Sequence, residues 1–138
     1  MKILIDTNVI LDVFLHRIPH YEHSSSTLKL CSGRVSGHFA VSQSSDIFYL
    51  LRKNGLTLNK AKASLAILSS HLQLLDTISS DVENALKSDM EDFEDALLAF
   101  CAKRHGIQYI ITRDKRDFSL SPVKTISPQD FIEHYQRN

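Results

Sequence analysis

The sequence predicts an α/β fold in which helices cover both faces of a mainly parallel sheet of four to five strands. Short β-favouring runs alternate with helix-patterned segments along the whole chain. That order folds most readily into a parallel sheet, because each strand is followed by a helix that crosses over one face. The chain has 138 residues, 43% hydrophobic and 23% charged, and shows no repeat or linker. We therefore expect residues 1–138 to form a single domain with one core.

The first strand and the first helix follow each other without a linker. The run 2–5 is short and β-favouring, and Asp6 ends it. The segment 7–17 then repeats apolar residues at helical spacing. Thr7 or Asn8 is the expected N-cap of this helix.

The remaining elements continue the alternation. Proline is expected in the first turn of two helices and glycine at the end of three, in agreement with the positional preferences of these residues. The further predicted strands are 38–42, 72–76, 108–112 and 124–127. The further predicted helices are 19–33, 44–55, 58–70, 80–88, 92–105 and 128–136.

Acidic residues stand where these strands end. Asp6 directly follows the first strand, and Asp114 lies two residues past the strand 108–112. Asp46 lies in the first turn of the helix after the second strand, and Asp95 near the start of the helix before the fourth. Ligands of open parallel sheets bind beyond the carboxyl ends of the strands. We therefore expect these acids to converge at one edge of the sheet.

A cluster of this kind calls for a cation. Nearby carboxylates raise one another's pKa and do not all stay ionised without a counter-charge. Oxygen-only ligands favour Mg²⁺ or Mn²⁺ over zinc, and such ions activate water for cleavage of a phosphodiester. The acids of 89–95, taken alone, fit helix caps and surface charge better than a metal site. Asp6 does not, because a carboxylate after an apolar strand is unfavourable to bury without a partner.

Composition excludes several classes of protein. Formal net charge is +0 and the pI about 7.1, which excludes a histone-like basic nucleic-acid binder. No apolar run is long enough to span a bilayer, and the N-terminus lacks the layout of a signal peptide. Cys31 and Cys101 are expected to be buried thiols in a reducing compartment, which predicts a cytoplasmic protein. The histidines at 16, 20 and 23 suggest a zinc site, but Pro19 interrupts the segment, so we expect surface or dimer-contact histidines.

Three blocks of sequence resemble the PIN-domain nucleases, specifically the toxin-type ribonucleases of bacterial toxin–antitoxin pairs. The blocks are "ILIDTNVILDVFL", "VSQSSDIFYLLRK" and "DFEDALLAFCAKRHGIQYIITRDKRDF". The resemblance implies a three-layer α/β/α sandwich with a parallel sheet and metal-dependent endonucleolytic cleavage of RNA. It also implies a homodimer and an antitoxin protein that fills the acidic groove, often with a basic residue.

The resemblance also assigns residues. It places the catalytic acids at Asp6, Asp46, Asp95 and Asp114, with Asp6, Asp95 and Asp114 holding the metal. The supporting positions that it implies are Asn8, Thr112 and Asp117, the last as a substitute for the fourth acid. In the family the second acid is usually glutamate. Because Asp46 is one methylene shorter, metal contact there is expected through water, with Asp92 compensating.

RNA must be attracted by a chain with no net charge, and basic residues flank two of the acids. They are candidates for phosphate contacts on either side of the cut. The same residues also fit a solvated loop and helix end. These candidates are Arg52, Lys53, Arg113, Lys115 and Arg116.

Two other functions remain open from the residues. The chain could be a catalytically inactive PIN-like module that binds RNA or protein, if Asp46 breaks the site. A receiver-like phosphoacceptor domain also has acids at strand ends, with Asp76 as the acceptor, but the acid pair that it needs near the start is missing. A serine nucleophile is disfavoured, because Ser42, Ser44 and Ser45 have no recognisable histidine partner.

Overall fold

The protein, described here by a computed structural model over residues 1–137, forms a five-stranded, all-parallel sheet. The strand order is β3-β2-β1-β4-β5. The strands are β1 (Lys2–Ile5), β2 (Ser36–Ala40), β3 (Gln73–Leu75), β4 (Tyr109–Ile111) and β5 (Lys124–Ile126). The helices are α1 (Thr7–Phe14), α2 (Tyr21–Leu30), α3 (Val41–Lys53), α4 (Leu58–His71), α5 (Ser79–Lys87), α6 (Phe93–Arg104) and α7 (Pro128–Arg137). The predicted fold class and every predicted strand and helix are confirmed, with shifted ends.

The largest shifts occur next to the first two strands. β2 begins at Ser36, two residues before its prediction, because Ser36 pairs in register with Lys2 of β1. α1 ends at Phe14 instead of continuing to residue 17, and His16 then adopts φ 51. The predicted N-cap of α1 is wrong. Asp6 itself is the cap, and its side chain accepts a hydrogen bond from the backbone N–H of Thr7.

Alternating side chains of the strands build two cores, one on each face of the sheet. Ile3 and Ile5 of β1 and Ile111 of β4 pack on one face with residues of α1, α2, α3, α4 and α7. Leu4 and Ile110 point to the other face, where they pack with residues of α5 and α6. A strand that is buried on both faces is continuously apolar, which explains the run before Asp6. The sheet is therefore the middle of three layers.

The position of β1 at the centre of the sheet decides where the acids meet. β1 lies between β2 and β4, so the carboxyl ends of these three strands are neighbours at one edge. The backbone N–H of Asp6 donates to the carbonyl of Ile111, at 2.9 Å, which ties the end of β1 to the end of β4. None of the helices within residues 1–137 has the length and apolar character that crossing a membrane requires.

Candidate functional site

Asp6 is a buried carboxylate fixed at the centre of the sheet edge, with 7% of its surface exposed. One oxygen accepts from the N–H of Thr7 at 2.8 Å, and the other accepts from the hydroxyl of Thr112 at 2.7 Å. Burial raises the pKa of Asp6 above its ordinary value, against the hydrogen bonds from Thr112 and Thr7, which lower it. The charge of Asp114 raises this pKa further and that of Arg113 lowers it. Asp6 is therefore held rigidly in a place that disfavours its negative charge.

Thr112 links two of the predicted acids. Its fully buried hydroxyl donates to Asp6 and accepts from the backbone N–H of Asp114, at 3.0 Å. The turn that carries Asp114 is thereby fixed against the end of β1. The structure thus gives Thr112 the contacts that a supporting residue needs.

Asp95 stands within the field of four other carboxylates. It lies in the first turn of α6, whose N-cap Asp92 accepts from the N–H of Asp95 at 2.9 Å. Burial raises the pKa of Asp95 to about 7, and the charges of four neighbours add to the shift. These neighbours are Asp92, Asp6, Asp117 and Asp114. Acids from three separate segments are therefore within electrostatic reach of one another.

Asp114 and Asp117 form a pair at the exposed side of this group. A hydrogen bond with Asp114, and then the charge of Asp114, raise the pKa of Asp117. Both side chains are exposed. The two residues are close enough for either to act as the fourth acid.

Asp46 lies in the second turn of α3 and not in the predicted first turn, because the helix begins at Val41. It adjoins the group of acids through Glu94, a residue to which no role was assigned from the sequence. The charge of Asp46 is the largest cause of the raised pKa of Glu94, followed by burial and the charge of Asp92. Glu94 therefore lies between Asp46 on α3 and the acids at the start of α6. Its position next to Asp95 in the first helical turn was the signal that could have identified it.

The donor chemistry of the site fits a hard divalent cation. All the converging groups are carboxylates, and the pKa of Asp95 shows that they repel. The side-chain oxygen Oδ1 of Asn8 is buried and has no hydrogen-bond partner among residues 1–137, so it offers a further oxygen beside Asp6. Within the same residues, no group of three or more His, Cys, Asp or Glu stands close enough to hold an ion without movement. A divalent cation would offset the repulsion among these carboxylates.

Gln43 connects the elements that carry the acids, and the sequence analysis missed it. Its side chain accepts from the N–H of Ala40 at 2.7 Å, which caps α3. It also donates to the carbonyl of Ile5 at 2.9 Å and to the hydroxyl of Thr7 at 3.2 Å. This buried amide therefore joins the start of α3 to the residues on either side of Asp6. An isolated glutamine in a helix start gives no sequence signal for such contacts.

Arg113, one of the predicted RNA contacts, makes a structural ion pair. Its guanidinium donates to both oxygens of Asp12 on α1, through Nε at 2.8 Å and Nη2 at 3.0 Å. Asp12 is completely buried and also accepts from the hydroxyl of Ser24 on α2, at 3.0 Å. The pair fastens α1 and α2 to the loop after β4. The sequence analysis did not single out Asp12, which looks there like one acid in an amphipathic helix.

The other predicted RNA contacts are exposed, and Arg116 alone of these four borders a groove lined by acids of the site. Arg52 and Lys53 lie at the end of α3, and Arg52 is about 9 Å further along the helix axis than Asp46. Lys115 pairs with Asp130 of α7 at 2.9 Å. Arg116 borders an acidic groove beside Asp117. Binding of RNA by these residues stays a prediction.

The three early histidines separate in the structure. The ring of His16 stacks on Tyr21, with centroids 3.8 Å apart. His20 and His23 instead line a small cavity that Arg113 also borders.

Comparison with known proteins gives one family. The family model described as PIN domain matches residues 2–116. The chain is 24% identical over 143 residues to Ribonuclease VapC1 of Aquifex aeolicus (strain VF5), an alignment that covers 97% of this chain and 95% of that relative.

Solved structures share the fold. One is a toxin–antitoxin complex from Klebsiella pneumoniae, with a TM-score of 0.69 at 19% identity, covering 91% of this chain and 96% of that one. Another is VapC20 of Mycobacterium tuberculosis, described as a Sarcin-Ricin loop cleaving toxin, with a TM-score of 0.67 at 17% identity, covering 88% and 98%. At such identities the likeness shows the fold alone.

Proposed function

The chain belongs to the PIN-domain family, and from that premise we propose that it is a Mg²⁺- or Mn²⁺-dependent endoribonuclease. The observation that supports this proposal is the group of carboxylates at the carboxyl ends of β1 and β4. Asp6 is held there by Thr112 and Thr7, and burial together with the charges of neighbouring acids raises the pKa of Asp95 to about 7. A site that gathers five carboxylates in this way is suited to a divalent ion and, through it, to a phosphate.

Asp6, Asp95 and Asp114 are the residues proposed to hold the ion. Bound there, Mg²⁺ or Mn²⁺ would supply a Lewis acid that lowers the pKa of the attacking water and offsets the charge that develops on the phosphate. Thr112 keeps Asp6 and the turn of Asp114 in place. Asp117 stands beside Asp114 to replace it.

The acids at the flank have a separate proposed role. Asp46 and Glu94 raise the local negative charge without contacting Asp6, so they fit water-mediated support of the ion. Asp92 caps α6 through the backbone N–H of Asp95 and so fixes the first turn of the helix that carries that carboxylate. Asn8 offers its unpartnered oxygen to the ion or to a water molecule.

We propose further that the chain acts in the cytoplasm as the toxin of a toxin–antitoxin pair, as a homodimer. The Klebsiella pneumoniae structure that it resembles is a toxin–antitoxin complex, and the Aquifex aeolicus relative is named a ribonuclease. The acidic site suits an antitoxin that inserts an arginine, because a guanidinium binds carboxylates with two parallel hydrogen bonds. Both cysteines are buried and free, in agreement with a reducing compartment.

An RNase assay on total RNA, with Mg²⁺ or Mn²⁺, tests the activity. We expect the wild type to cleave RNA and Asp95→Asn to lower the rate at least about 100-fold, because loss of a group that only supports a metal ligand already lowers affinity or activity about 10- to 100-fold. Asp89→Asn is the matched control. It removes an exposed acid of the same stretch and is expected to keep wild-type activity.

Equal cleavage by wild type and Asp95→Asn would contradict the proposal. The inactive binding module would be favoured instead if the wild type bound RNA and cleaved none of it with either ion.

A further inference from the structure

A small cavity lies beside the acids, on the side of the sheet that carries α2 and α7. Its volume is about 210 Å³. Residues at the start of α2 and at the start of α7 line it, together with Arg113 of the loop after β4. The lining residues are His20, His23, Ser24, Arg113, Ser127, Pro128 and Gln129.

The side chains around this cavity present hydrogen-bond donors. Each imidazole of His20 and His23 carries at least one N–H in either tautomer. Arg113 uses Nε and Nη2 for Asp12, and Nη1 stays outside that pair. Two carboxylates on the neighbouring elements are already paired with cations, Asp12 with Arg113 and Asp130 with Lys115.

The backbone of α7 adds a donor of its own. Pro128, the first residue of the helix, has no N–H, and the hydroxyl of Ser127 accepts from the N–H of Asp130, at 3.1 Å. The N–H of Phe131 is bonded to the carbonyl of Ser127. The first turn therefore leaves the N–H of Gln129, at the positive end of the helix dipole, as its remaining donor.

This set of groups selects an anion over a metal cation. A zinc site needs three or four ligands, but His16 stacks on Tyr21 and only two histidines reach the cavity. A guanidinium in the wall also repels a cation. A phosphate, in contrast, accepts hydrogen bonds from imidazole, guanidinium and backbone N–H groups alike.

The nearness of the cavity to the acids indicates which kind of phosphate it binds. Arg113 lies between Thr112, whose hydroxyl binds Asp6 and the backbone N–H of Asp114, and Asp114 itself, so the cavity borders the loop that carries a metal-holding acid. A single-stranded RNA cut at those acids carries its adjoining phosphates close by. We infer that this cavity, formed by the starts of α2 and α7 with Arg113, holds a backbone phosphate of the RNA next to the one that is cleaved. The inference rests on the proposed ribonuclease function.

Two substitutions test it by adding a carboxylate to each of the two helices that line the cavity. Gln129→Glu and His23→Glu each place an acid in the first turn of a helix, where a negative charge suits the dipole, so both are expected to fold. Gln73→Glu is the matched control. It adds the same charge at the amino ends of the strands, the opposite edge of the sheet.

The measurement is the affinity for a fluorescein-labelled RNA that the wild type cleaves, made in the Asp95→Asn background so that the RNA stays intact. We expect the affinity for RNA to fall at least about fivefold in both cavity variants and to change less than about twofold in Gln73→Glu. The slope of log K against log salt is expected to be flatter by about 0.7 in the cavity variants, the change for one lost phosphate contact on a single strand. A change of fold would not move that slope by the value for one phosphate.

The outcomes separate the two proposals. If the wild type cleaves RNA but the cavity variants bind it like Gln73→Glu, the phosphate inference is overturned and the ribonuclease proposal stands. A third outcome is that inorganic phosphate raises the melting temperature of the wild type but not of Gln129→Glu, although Gln129→Glu does not change the affinity for RNA. The cavity would then bind free phosphate, and the RNA assignment would be overturned. If the wild type neither cleaves nor binds any RNA, both proposals are overturned.

Discussion

Asp95 stands at the start of α6 with a pKa near 7, so its carboxylate is a source of instability as well as a proposed metal ligand. Folding raises the pKa of Asp95 from 3.8 to about 7, so the folded chain binds a proton that the unfolded chain releases. The contribution of Asp95 to the free energy of unfolding therefore declines as pH rises from 3.8 to about 7. Above that range the ionised carboxylate has its full destabilising effect. Residues that bind ions are often placed in this way, because the ion offsets the strain when it is present.

Asp95→Asn should therefore stabilise the metal-free protein. In EDTA at pH 8 we expect a melting temperature higher by about 3–6 °C, which corresponds to about 1–2 kcal/mol. The difference should shrink toward zero at pH 4, where the wild-type carboxyl is protonated in the folded state. Thermal unfolding followed by circular dichroism at both pH values is the measurement, with Asp89→Asn as the control. A constant difference at the two pH values would show that the ionisation of Asp95 is not its cause.

Thr112 supports a second prediction at the scale of one side chain. Thr112→Val keeps the shape but removes the donor to Asp6 and the acceptor for the N–H of Asp114. We expect a loss of about 1–2 kcal/mol in the free energy of unfolding and about tenfold weaker Mn²⁺ binding. Urea denaturation and Mn²⁺ titration measure the two effects.

The matched control for Thr112 is Thr125→Val on β5. Thr125 is half-buried, and no side-chain hydrogen bond of it is found among residues 1–137. We expect a change in stability below about 0.5 kcal/mol and no change in Mn²⁺ affinity. Equal effects of the two substitutions would show that the hydrogen bonds of Thr112 do not organise the site.

Among the elements, α1, α2 and the loop after β4 depend on the pair of Asp12 and Arg113. Asp12 is 0% exposed, and Arg113→Met would leave its charge buried without a cationic partner. We expect a loss of about 3–5 kcal/mol in the free energy of unfolding, measured by urea denaturation. The double variant Asp12→Asn, Arg113→Met should recover much of that loss, because the buried charge is then absent.

Lys115→Met is the control for this pair. Lys115 and Asp130 are joined at the same distance as a tight ion pair, 2.9 Å, but both side chains are about half exposed. Removing such a pair should change stability by less than about 1 kcal/mol. If Arg113→Met were as mild as Lys115→Met, Asp12 would not depend on its partner.

For the whole molecule, an ion that binds only the folded chain must raise its melting temperature. At a free Mn²⁺ concentration about 100 times the dissociation constant, the gain is about 2.7 kcal/mol. We expect a rise of several degrees in the wild type and in Asp89→Asn, and a much smaller rise in Asp95→Asn. Differential scanning calorimetry at pH 7 measures it. An equal rise in all three proteins would place Mn²⁺ outside the proposed site.

The convergence of the acids could be predicted because it follows from order and chain direction. Strands that alternate with helices are parallel, and parallel strands bring their carboxyl ends to one edge, so Asp6 and Asp114 were expected at the same edge. That β1 and β4 are adjacent within the sheet was decided by the tertiary structure. The position of Glu94 against Asp46 did not follow. It depends on how α3 and α6, which pack on opposite faces of the sheet, approach each other at that edge.

The sequence by itself determined the alternation of strands and helices, a mainly parallel sheet and the edge at which the acids gather, because periodicity and chain order are local properties. Only the tertiary structure decided which polar side chains meet within that frame. Arg113 and Asp12 are 101 positions apart, and Gln43 lies 38 positions from the carbonyl that it binds. Such contacts depend on the distances between packed elements, which no local pattern encodes. For this reason the sequence did not predict that Arg113 pairs with the buried Asp12. Nor did it predict that Gln43 joins the segments around Asp6.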